Sequence, residues 1–394
     1  MPKIAARMDR LGTEGAFEVL ARARALEAQG RRIVHLEIGE PDFETAPHVK
    51  EAGKRAIDEG YTHYGPSAGL MPARQAIARY VSATRGIPVS PEQVVVTPGA
   101  KPILFFSILA VVDEGDEVLV PDPGFPIYES VVRYIGATPV PVPLRQERAF
   151  RFDPDELRQR VTARTSLIIL NSPQNPTGGV LDRSDLEAVA EIARARDLWV
   201  LADEIYSRLI YEGAHHSIAT LRGMAERTIL LDGFSKTYAM TGWRLGYGVA
   251  PERLVPHLTR LQTNVTSCTA SFVQMAGIAA LEGSQEPVAA MLEEFRRRRE
   301  LVVRGLNQIE GVHCLAPGGA FYAFPRVDVP GRSSKEIADF LLDEEGVAVL
   351  AGTAFGRHGE GFLRLSFATS MDELQEGLAR IQRGVERLRR AAAA

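Results

Sequence analysis

Along the middle of the chain, short runs rich in valine, isoleucine and leucine alternate with helical stretches, and this alternation restricts the fold more than any other feature. The runs end at Gly, Pro, Asn or Asp, as buried strands commonly do. We predict strands at residues 94–97, 117–120, 138–142, 167–170, 198–202 and 228–231. Strands that alternate with helices build a mainly parallel sheet covered on both faces, and ligands bind beyond the carboxyl ends of its strands.

After about residue 285 the pattern changes, and it predicts a second, smaller α+β unit. A long charged helix at residues 286–308 opens this unit. Strands are predicted at residues 312–315, 320–325, 347–350 and 362–367, and helices at residues 334–345 and from Met371 onward. The N-terminal helix and the strand at residues 33–38 that follows it could pack on either unit, because sequence periodicity does not decide between the two units.

Charge and hydropathy restrict the class of protein. The 394 residues carry a formal net charge of −4 with mixed signs, which offers no basic surface to nucleic acid or to an anionic membrane. Four arginines at residues 296–299 lie between glutamates and predict a solvated helix face. The longest apolar stretch, residues 104–112, is too short to span a bilayer, and residues 1–30 lack the apolar core of a signal peptide. We therefore expect a cytoplasmic enzyme or binding protein.

Cysteine and histidine form no metal-ligand pattern. The two cysteines, Cys268 and Cys314, have no metal-ligand spacing and provide no disulfide framework. His215 and His216 are adjacent, without accompanying cysteine or carboxylate ligands, so a surface turn is the expected structure there. The sequence therefore predicts no metal site.

Polar and small residues follow four of the predicted strands and would meet at one edge of the sheet. Residues 98–101 (PGAK) open a helix, where exposed backbone N–H groups can bind an anion. Residues 171–178 (NSPQNPTG) form a rigid turn that can aim two asparagines at a ligand. Asp203 and Tyr206 follow another strand, and a carboxylate at the end of a buried strand requires a cation or a site. Lys236 follows the last predicted strand of this sheet.

Lys236 carries the strongest chemical signal at this edge. It lies in residues 233–246 (GFSKTYAMTGWRLG), directly after Ser235 and eight positions before Arg244. A desolvated lysine near other cations loses its proton readily and attacks carbonyl carbons. A hydroxyl and a guanidinium nearby bind phosphate. Together they indicate a Schiff-base lysine beside a phosphate site, the arrangement for pyridoxal 5′-phosphate (PLP). The alternative is a structural loop with a solvated lysine.

Other phosphate-binding and nucleophile motifs of α/β proteins are absent from the sequence. There is no Walker lysine motif, and Pro251 stands where a dinucleotide fingerprint starting at Gly246 needs its third glycine. A serine nucleophile elbow is absent too. The PLP interpretation is therefore left without its common competitors.

The chain resembles the class I/II aminotransferases of the fold-type-I PLP family from about residue 33 to residue 367. Residues 233–246 fit the family's lysine signature at every restricted position. The family's order and spacing are matched by segments 39–43 (GEPDF), 175–178 (NPTG), 203–206 (DEIY) and 364–367 (RLSF). This resemblance implies a fold-type-I PLP transferase of the α/β class. Such a protein has a large domain with a mainly parallel seven-stranded sheet covered by helices, and a smaller α+β domain.

On the same resemblance we divide the chain into three parts. Residues 1–45 form an N-terminal segment that packs with the small domain, residues 46–285 form the large PLP-binding domain, and residues 286–394 form the small C-terminal α+β domain. The resemblance also implies a homodimer with shared active sites. Tyr64 matches a family tyrosine that reaches the cofactor phosphate of the neighbouring subunit.

The family's catalytic roles transfer to matching residues. Lys236 would hold the cofactor through its amine and then act as the base that moves the substrate proton. Asp203 would pair with the pyridine nitrogen and keep it protonated. Tyr206 and Asn175 would hydrogen-bond the phenolate oxygen of the ring. Phe125 would stack on the ring face, and the alternative for Phe125 is a core aromatic after a proline turn.

Backbone and side-chain donors would hold the cofactor phosphate. On the family pattern they come from Gly99, Ala100, Ser235 and Arg244, through backbone N–H groups, a hydroxyl and a guanidinium. Lys101 follows at the same helix start and would contact the cofactor or the substrate. Dicarboxylate specialists in one branch of the family carry an extra arginine for the distal carboxylate, and the motifs of this sequence place none. Lys101 matches a lysine that could serve this purpose in another branch, and the alternative is a solubilising helix residue.

A second set of residues would bind the substrate. Arg364 would clamp the α-carboxylate with a bidentate fork, and the Gly39 backbone would approach the same carboxylate closely. Asn175 would contact the substrate as well. For a distal carboxylate, Lys101 is the cation that the motifs place near the cofactor.

The resemblance therefore implies a PLP-dependent aminotransferase (EC 2.6.1.-) with a ping-pong mechanism. It would move an amino group between an L-amino acid and a 2-oxo acid, with 2-oxoglutarate as the expected acceptor. The donor would be aspartate or an aromatic or large neutral amino acid. A PLP-dependent β-elimination C–S lyase on the same scaffold is the alternative. A non-enzymatic regulatory or binding module would require the loss of Lys236, the loss of Asp203 or a fused DNA-binding segment, and none of these is seen in the sequence.

Overall fold

The computed structural model describes residues 2–393 of the protein. Before the central sheet, the chain forms helix α1 (Gly15–Glu27), strand β1 (Val34–His35) and helices α2 (Pro47–Asp58) and α3 (Met71–Arg85). Helix α3 ends at Gly86, whose φ of 69° lets the chain leave the helix in the left-handed conformation. From there a short 3-10 turn, Pro91–Gln93, leads into the sheet.

The central sheet confirms the predicted fold class. Its strands are β2 (Val94–Thr97), β3 (Glu117–Asp122), β4 (Thr138–Arg145), β5 (Arg151–Phe152), β6 (Thr165–Asn171), β7 (Trp199–Asp203), β8 (Thr228–Gly233) and β9 (Gly246–Val249). Their order is β2-β9-β8-β7-β6-β3-β4-β5, and the pairs from β8 through β4 are parallel. β9 lies antiparallel to both β2 and β8. The sheet has eight strands rather than the predicted seven, because Arg151 and Phe152 pair antiparallel with the end of β4 and form the edge strand β5.

Both faces of the sheet are buried. On β6, Leu167 and Ile169 pack into one hydrophobic core, whereas Ile168 and Leu170 pack into another, as the two-residue period of a strand requires. The helices between and after the strands are α4 (Lys101–Val111), α5 (Pro126–Tyr134), α6 (Pro154–Arg160), α7 (Arg183–Ala195), α8 (Val255–Thr266) and α9 (Ser271–Glu282). Strands buried on both faces have continuous apolar sequences, so the apolar runs of this sequence predicted six of the strands correctly.

The C-terminal part of the chain is an α+β unit, as the sequence predicts. Its helices are α10 (Glu286–Asn307), α11 (Ser334–Phe340) and α12 (Met371–Ala393). Its strands are β10 (Val312–His313), β11 (Tyr322–Ala323), β12 (Arg326–Val327), β13 (Val347–Ala348), β14 (Leu350–Ala351) and β15 (Leu363–Ser366). β15 pairs with β11 and β14, and β1 pairs in parallel with β13. The β1–β13 pairing supports our proposal that residues 1–45 pack with the small domain.

The arginine run at residues 296–299 does not form one solvated face, so that prediction was wrong. Arg298 and Arg299 are buried. Arg298 pairs with Asp42 at 2.6 Å, and Arg299 donates to the Pro317 carbonyl at 2.7 Å. Both partners are far away in the sequence, so the flanking glutamates could not reveal them.

Among residues 2–393, no helix combines the length and the apolar character that crossing a bilayer requires.

Candidate active site

A cavity of about 440 Å³ opens at the carboxyl ends of β6, β7 and β8. The C-terminal unit contributes Tyr322 from β11 and Arg364 from β15 to its wall. The predicted site residues in the wall are Gly39, Ala100, Lys101, Phe125, Asn175, Asp203, Tyr206, Ser235, Lys236, Arg244 and Arg364. The structure therefore brings together nearly the whole predicted set.

Lys236 lies just beyond the end of β8, on the segment that leads to β9. Its Nζ donates a hydrogen bond to the Gly39 carbonyl at 2.5 Å and lies 5.7 Å from the centre of the Phe321 ring. The β8 strand is buried along its whole length, so the start of the segment that carries Lys236 is fixed in the core. The amine is therefore presented to the cavity from a rigid element.

The surroundings of Lys236 favour loss of its proton. Burial lowers the pKa of the ammonium to about 8, and the nearby cations Lys101 and Arg364 act in the same direction. The carboxylates Glu40 and Glu14 oppose this shift. A lysine with a pKa of about 8 supplies a substantial fraction of neutral, nucleophilic amine near neutral pH.

Asp203 ends β7 and is buried in the same cavity. Its Oδ2 accepts a hydrogen bond from the Tyr128 hydroxyl at 2.6 Å, and its Oδ1 accepts one from the Ile205 backbone N–H at 3.2 Å. Burial raises the pKa of this carboxyl to about 6, against these two hydrogen bonds, which lower it. A buried carboxylate of this kind gains from a cationic partner, and a protonated pyridine nitrogen would provide one.

Two tyrosine hydroxyls meet beside the lysine. Tyr206 and Tyr322 are both buried, and their hydroxyl oxygens lie 2.8 Å apart. Burial raises the pKa of each, so both stay protonated as hydrogen-bond donors. A Cβ at position 39 would clash with the Tyr322 hydroxyl, which is why a glycine is required there.

Arg364 presents a guanidinium that protein groups satisfy only in part. Nη1 donates to Asn175 Oδ1 at 3.3 Å, and Nη2 donates to the Glu37 carbonyl. The buried Nε has no hydrogen-bond partner among residues 2–393. The side chain stacks between aromatic rings, with its Cζ 4.6 Å from the centre of the Tyr322 ring and 5.0 Å from that of Phe355. A buried cation without an acidic partner suits a ligand carboxylate.

Another part of the cavity wall has the features of a phosphate site. Gly99 has a φ of 87°, and a Cβ there would clash with the Arg244 guanidinium, so only glycine allows this close approach. Ala100 precedes α4, and the backbone N–H groups of Ala100 and Lys101 have no acceptor within the helix, whereas Pro102 has no N–H and the Ile103 N–H donates to the Ala100 carbonyl. The Ser235 hydroxyl lies in the same wall. These donors fit the phosphate of PLP, while Asp203 fits its ring nitrogen.

Tyr64 is the predicted site residue that the structure leaves apart. It does not line the cavity, and 91% of its surface is exposed. One chain therefore does not bring Tyr64 to the site, and its role in a neighbouring subunit stays a prediction.

A buried charged cluster connects the segments that carry Asp203 and Lys236. Arg85 donates to Glu204 Oε2 at 2.9 Å, to Ser207 Oγ at 2.6 Å and to Asp232 Oδ2 at 2.5 Å. Glu204 directly follows Asp203, and Asp232 belongs to β8, so the arginine joins the two strand ends that carry the site. His215 Nε2 also lies 2.9 Å from Glu204 Oε2, and only 9% of the His215 side chain is exposed. The segment has no regular structure and His216 is exposed, as expected for a surface turn, but the His215 side chain is not at the surface.

Several cavity residues were missed by the sequence analysis. Three polar ones among them are Glu14, Tyr128 and Tyr322. Tyr322 lies in a predicted strand, but nothing local indicates that its hydroxyl meets Tyr206. Tyr128 follows a proline turn, and Glu14 precedes a helix, where acidic residues are common. Only the tertiary structure shows that these three side chains face the site.

Comparisons with known proteins agree with this geometry. The family model "Aminotransferase class I and II" matches residues 31–381. Among curated relatives, an aspartate aminotransferase of Pyrococcus horikoshii is 42% identical over 94% of both chains. An aromatic-amino-acid aminotransferase of Thermococcus litoralis is 43% identical over 90% of this chain and 92% of that protein. The solved structure of aspartate aminotransferase from Thermus thermophilus with maleate superposes with a TM-score of 0.93, at 38% identity over 98% of this chain and 100% of that one.

Proposed function

The chain belongs to the class I and II aminotransferases, and from this premise we propose which substrates it uses and how its residues act on them. It is a PLP-dependent aminotransferase. We propose that it moves the amino group of aspartate, or of an aromatic or large neutral amino acid, to 2-oxoglutarate by a ping-pong mechanism. The names of the relatives, which include aspartate and aromatic-amino-acid aminotransferases, support this range of donors.

One observation carries the proposal: a lysine of lowered pKa lies in one cavity with a buried carboxylate and a buried, partly unpaired arginine. When bound, PLP supplies a conjugated ring that accepts the electron pair released at the substrate Cα. Asp203 would stabilise positive charge on the ring nitrogen. Arg364 would bind the substrate α-carboxylate, and the Lys236 amine would then take the proton from Cα.

The remaining residues would position these groups. Gly99, Ala100, Ser235 and Arg244 would hold the phosphate end. Tyr206 and Asn175 would donate to the ring oxygen, and Phe125, whose ring forms part of the cavity wall, would cover one ring face. These contacts would fix the PLP ring at both ends and cover one of its faces. They would thereby place the Cα of a bound substrate within reach of the Lys236 amine.

A panel of half-reactions tests the proposed function. Purified holoenzyme is mixed with one amino acid at a time, and the loss of the cofactor absorbance and the formation of the matching 2-oxo acid are followed. We expect rapid conversion with glutamate, and with aspartate or a large neutral or aromatic amino acid. Release of ammonia and pyruvate from cysteine conjugates, without any new amino acid, would contradict the proposal and identify a C–S lyase.

Changing Arg364 to lysine is expected to weaken amino-acid binding about 100-fold while cofactor binding changes little. Lysine keeps the charge but loses the planar fork that can bind a carboxylate with two hydrogen bonds. The amino-acid concentration that half-saturates the half-reaction measures amino-acid binding, and cofactor release on dialysis measures cofactor binding. Arg326→Lys, at an exposed pair with Asp328, is the matched control. Collapse of cofactor affinity instead would assign Arg364 to the phosphate site.

We also propose that the active unit is a homodimer in which Tyr64 reaches the phosphate in the partner subunit. The exposure of this tyrosine supports the proposal, because a second chain would cover its ring. The exposed apolar side chains of Ile57, Met71 and Val265 offer further surface for association.

Tyr64→Phe is expected to weaken cofactor retention at least about tenfold, the effect of losing one hydrogen bond to a charged group. Tyr61→Phe, three residues earlier and also outside the cavity, should leave it unchanged. Dilution below the dimer dissociation constant should lower activity and cofactor retention together. Full activity from a monomer demonstrated by ultracentrifugation would exclude the shared site.

A further inference from the structure

Glu14 places a carboxylate in the wall of the cavity. It precedes α1 and lines the cavity, with 19% of its side chain exposed. Its Oε1 accepts a hydrogen bond from Lys101 Nζ, at the start of α4. The pair joins the N-terminal segment to the start of α4 in the wall of the cavity.

The carboxylate of Glu14 is used for this contact and not for its own helix. A residue at the N-terminal boundary of a helix commonly accepts a hydrogen bond from the first backbone N–H groups. Glu14 makes no such bond to α1. Its charge instead acts on the cavity, where it raises the pKa of Lys236 and of Arg364 against the larger effect of burial.

Lys101 places an ammonium group in the wall of the same cavity. Its Nζ lies 5.5 Å from the centre of the Phe125 ring, the ring expected to cover the cofactor. Arg364 and Lys236 have roles at the α-carboxylate and at Cα, so a distal carboxylate on the substrate would turn to Lys101. In this structure Glu14 already neutralises that charge.

We propose that Glu14 is a specificity-determining residue that disfavours acidic side chains relative to uncharged ones by neutralising Lys101. This inference rests on the proposed function, because it concerns the side chain of the amino-acid substrate. An uncharged side chain leaves the Glu14–Lys101 pair intact. An acidic side chain has to displace Glu14, since two carboxylates beside one ammonium leave a negative charge without a partner.

Ligand binding to the holoenzyme tests the proposal without turnover. Maleate carries two carboxylates and 3-phenylpropionate carries one carboxylate and an apolar ring, and neither has an amino group to transfer. Glu14→Gln is expected to tighten maleate binding about tenfold in calorimetry, the effect of freeing one partly exposed charge. Binding of 3-phenylpropionate should change less than about twofold. Equal changes for the two ligands would overturn the proposal.

Two comparisons separate the pair from general electrostatics. Glu18→Gln removes the same charge one turn further along α1, at an exposed position outside the cavity, and should leave both affinities unchanged. Lys101→Ala should weaken binding of maleate more than binding of 3-phenylpropionate. In the Lys101→Ala protein, the further change Glu14→Gln should alter maleate affinity little. If Glu14→Gln tightens maleate binding about tenfold in the Lys101→Ala protein as well, then Glu14 acts only by repelling the ligand carboxylate, and a role for its pairing with Lys101 is excluded.

The kinetic test keeps this inference distinct from the proposed function. Glu14→Gln should raise kcat/KM for aspartate relative to phenylalanine about tenfold, and Glu18→Gln should not. If wild-type enzyme transfers amino groups but this ratio stays fixed, the inference fails and the function stands. If no amino acid is converted by the wild-type enzyme, the function itself fails. Cofactor absorbance and thermal melting establish that each variant is folded, and Glu14→Ala provides a second variant with the same expected direction.

Discussion

Replacing Lys236 with alanine is expected to lower the rate of amino transfer by about 10⁶-fold, the largest effect of any single change in this protein. The amine would hold the cofactor and move the substrate proton, so its loss removes two functions of one catalytic unit. Losses of this size accompany removal of a nucleophile that works together with its neighbours. Single-turnover assays with saturating PLP and a good amino donor measure the effect.

Lys236→Arg is the matched control for the charge. Arginine stays protonated at any usable pH, so it preserves a cation at this position but cannot act as a nucleophile or a base. Both variants are therefore expected to be inactive to a similar degree. Activity of the alanine variant within about 100-fold of wild type would show that another group carries out the proton transfer.

Asp203→Asn is expected to reduce amino transfer at least about 10³-fold while the protein still binds cofactor. Asparagine keeps the shape of the side chain and can still accept from the Tyr128 hydroxyl, so the fold around β7 should persist. What is lost is the negative charge that would stabilise a protonated ring nitrogen, a preorganised electrostatic partner. Pre-steady-state absorbance measures the rate, and the bound cofactor is quantified in the same sample. A variant within a few-fold of wild type would show that Asp203 is not the partner of the ring nitrogen.

The strand-end residues of the site follow from the sequence because the sheet is mainly parallel. Asp203 ends β7, Lys236 follows β8 and Ala100 follows β2, and such ends meet at one edge. Continuous apolar runs identify those strands, so the residues after them could be placed without any structure. Arg364 and Gly39 are different, because no strand pattern brings them to this edge and only the family resemblance indicated them.

Other parts of the site depend on contacts between distant segments. Arg85 reaches Glu204 and Asp232 from the last turn of α3, and nothing in α3 distinguishes this arginine from a solvated one. The Glu14–Lys101 pair likewise joins two helix starts that each look ordinary. Local pattern reports which face of an element is apolar, but the partner of a buried charge is decided by the tertiary fold.

Reduction of the purified holoenzyme with borohydride, followed by digestion and mass spectrometry, tests most directly the claim that Lys236 carries the cofactor. The protein should be yellow before reduction, because PLP bound through a lysine absorbs visible light. Reduction should fix the label on the peptide that contains Lys236, and the Lys236→Ala protein should not be labelled there or elsewhere. A label on Lys101 or on any other lysine of the wild-type protein would contradict the assignment of the active site.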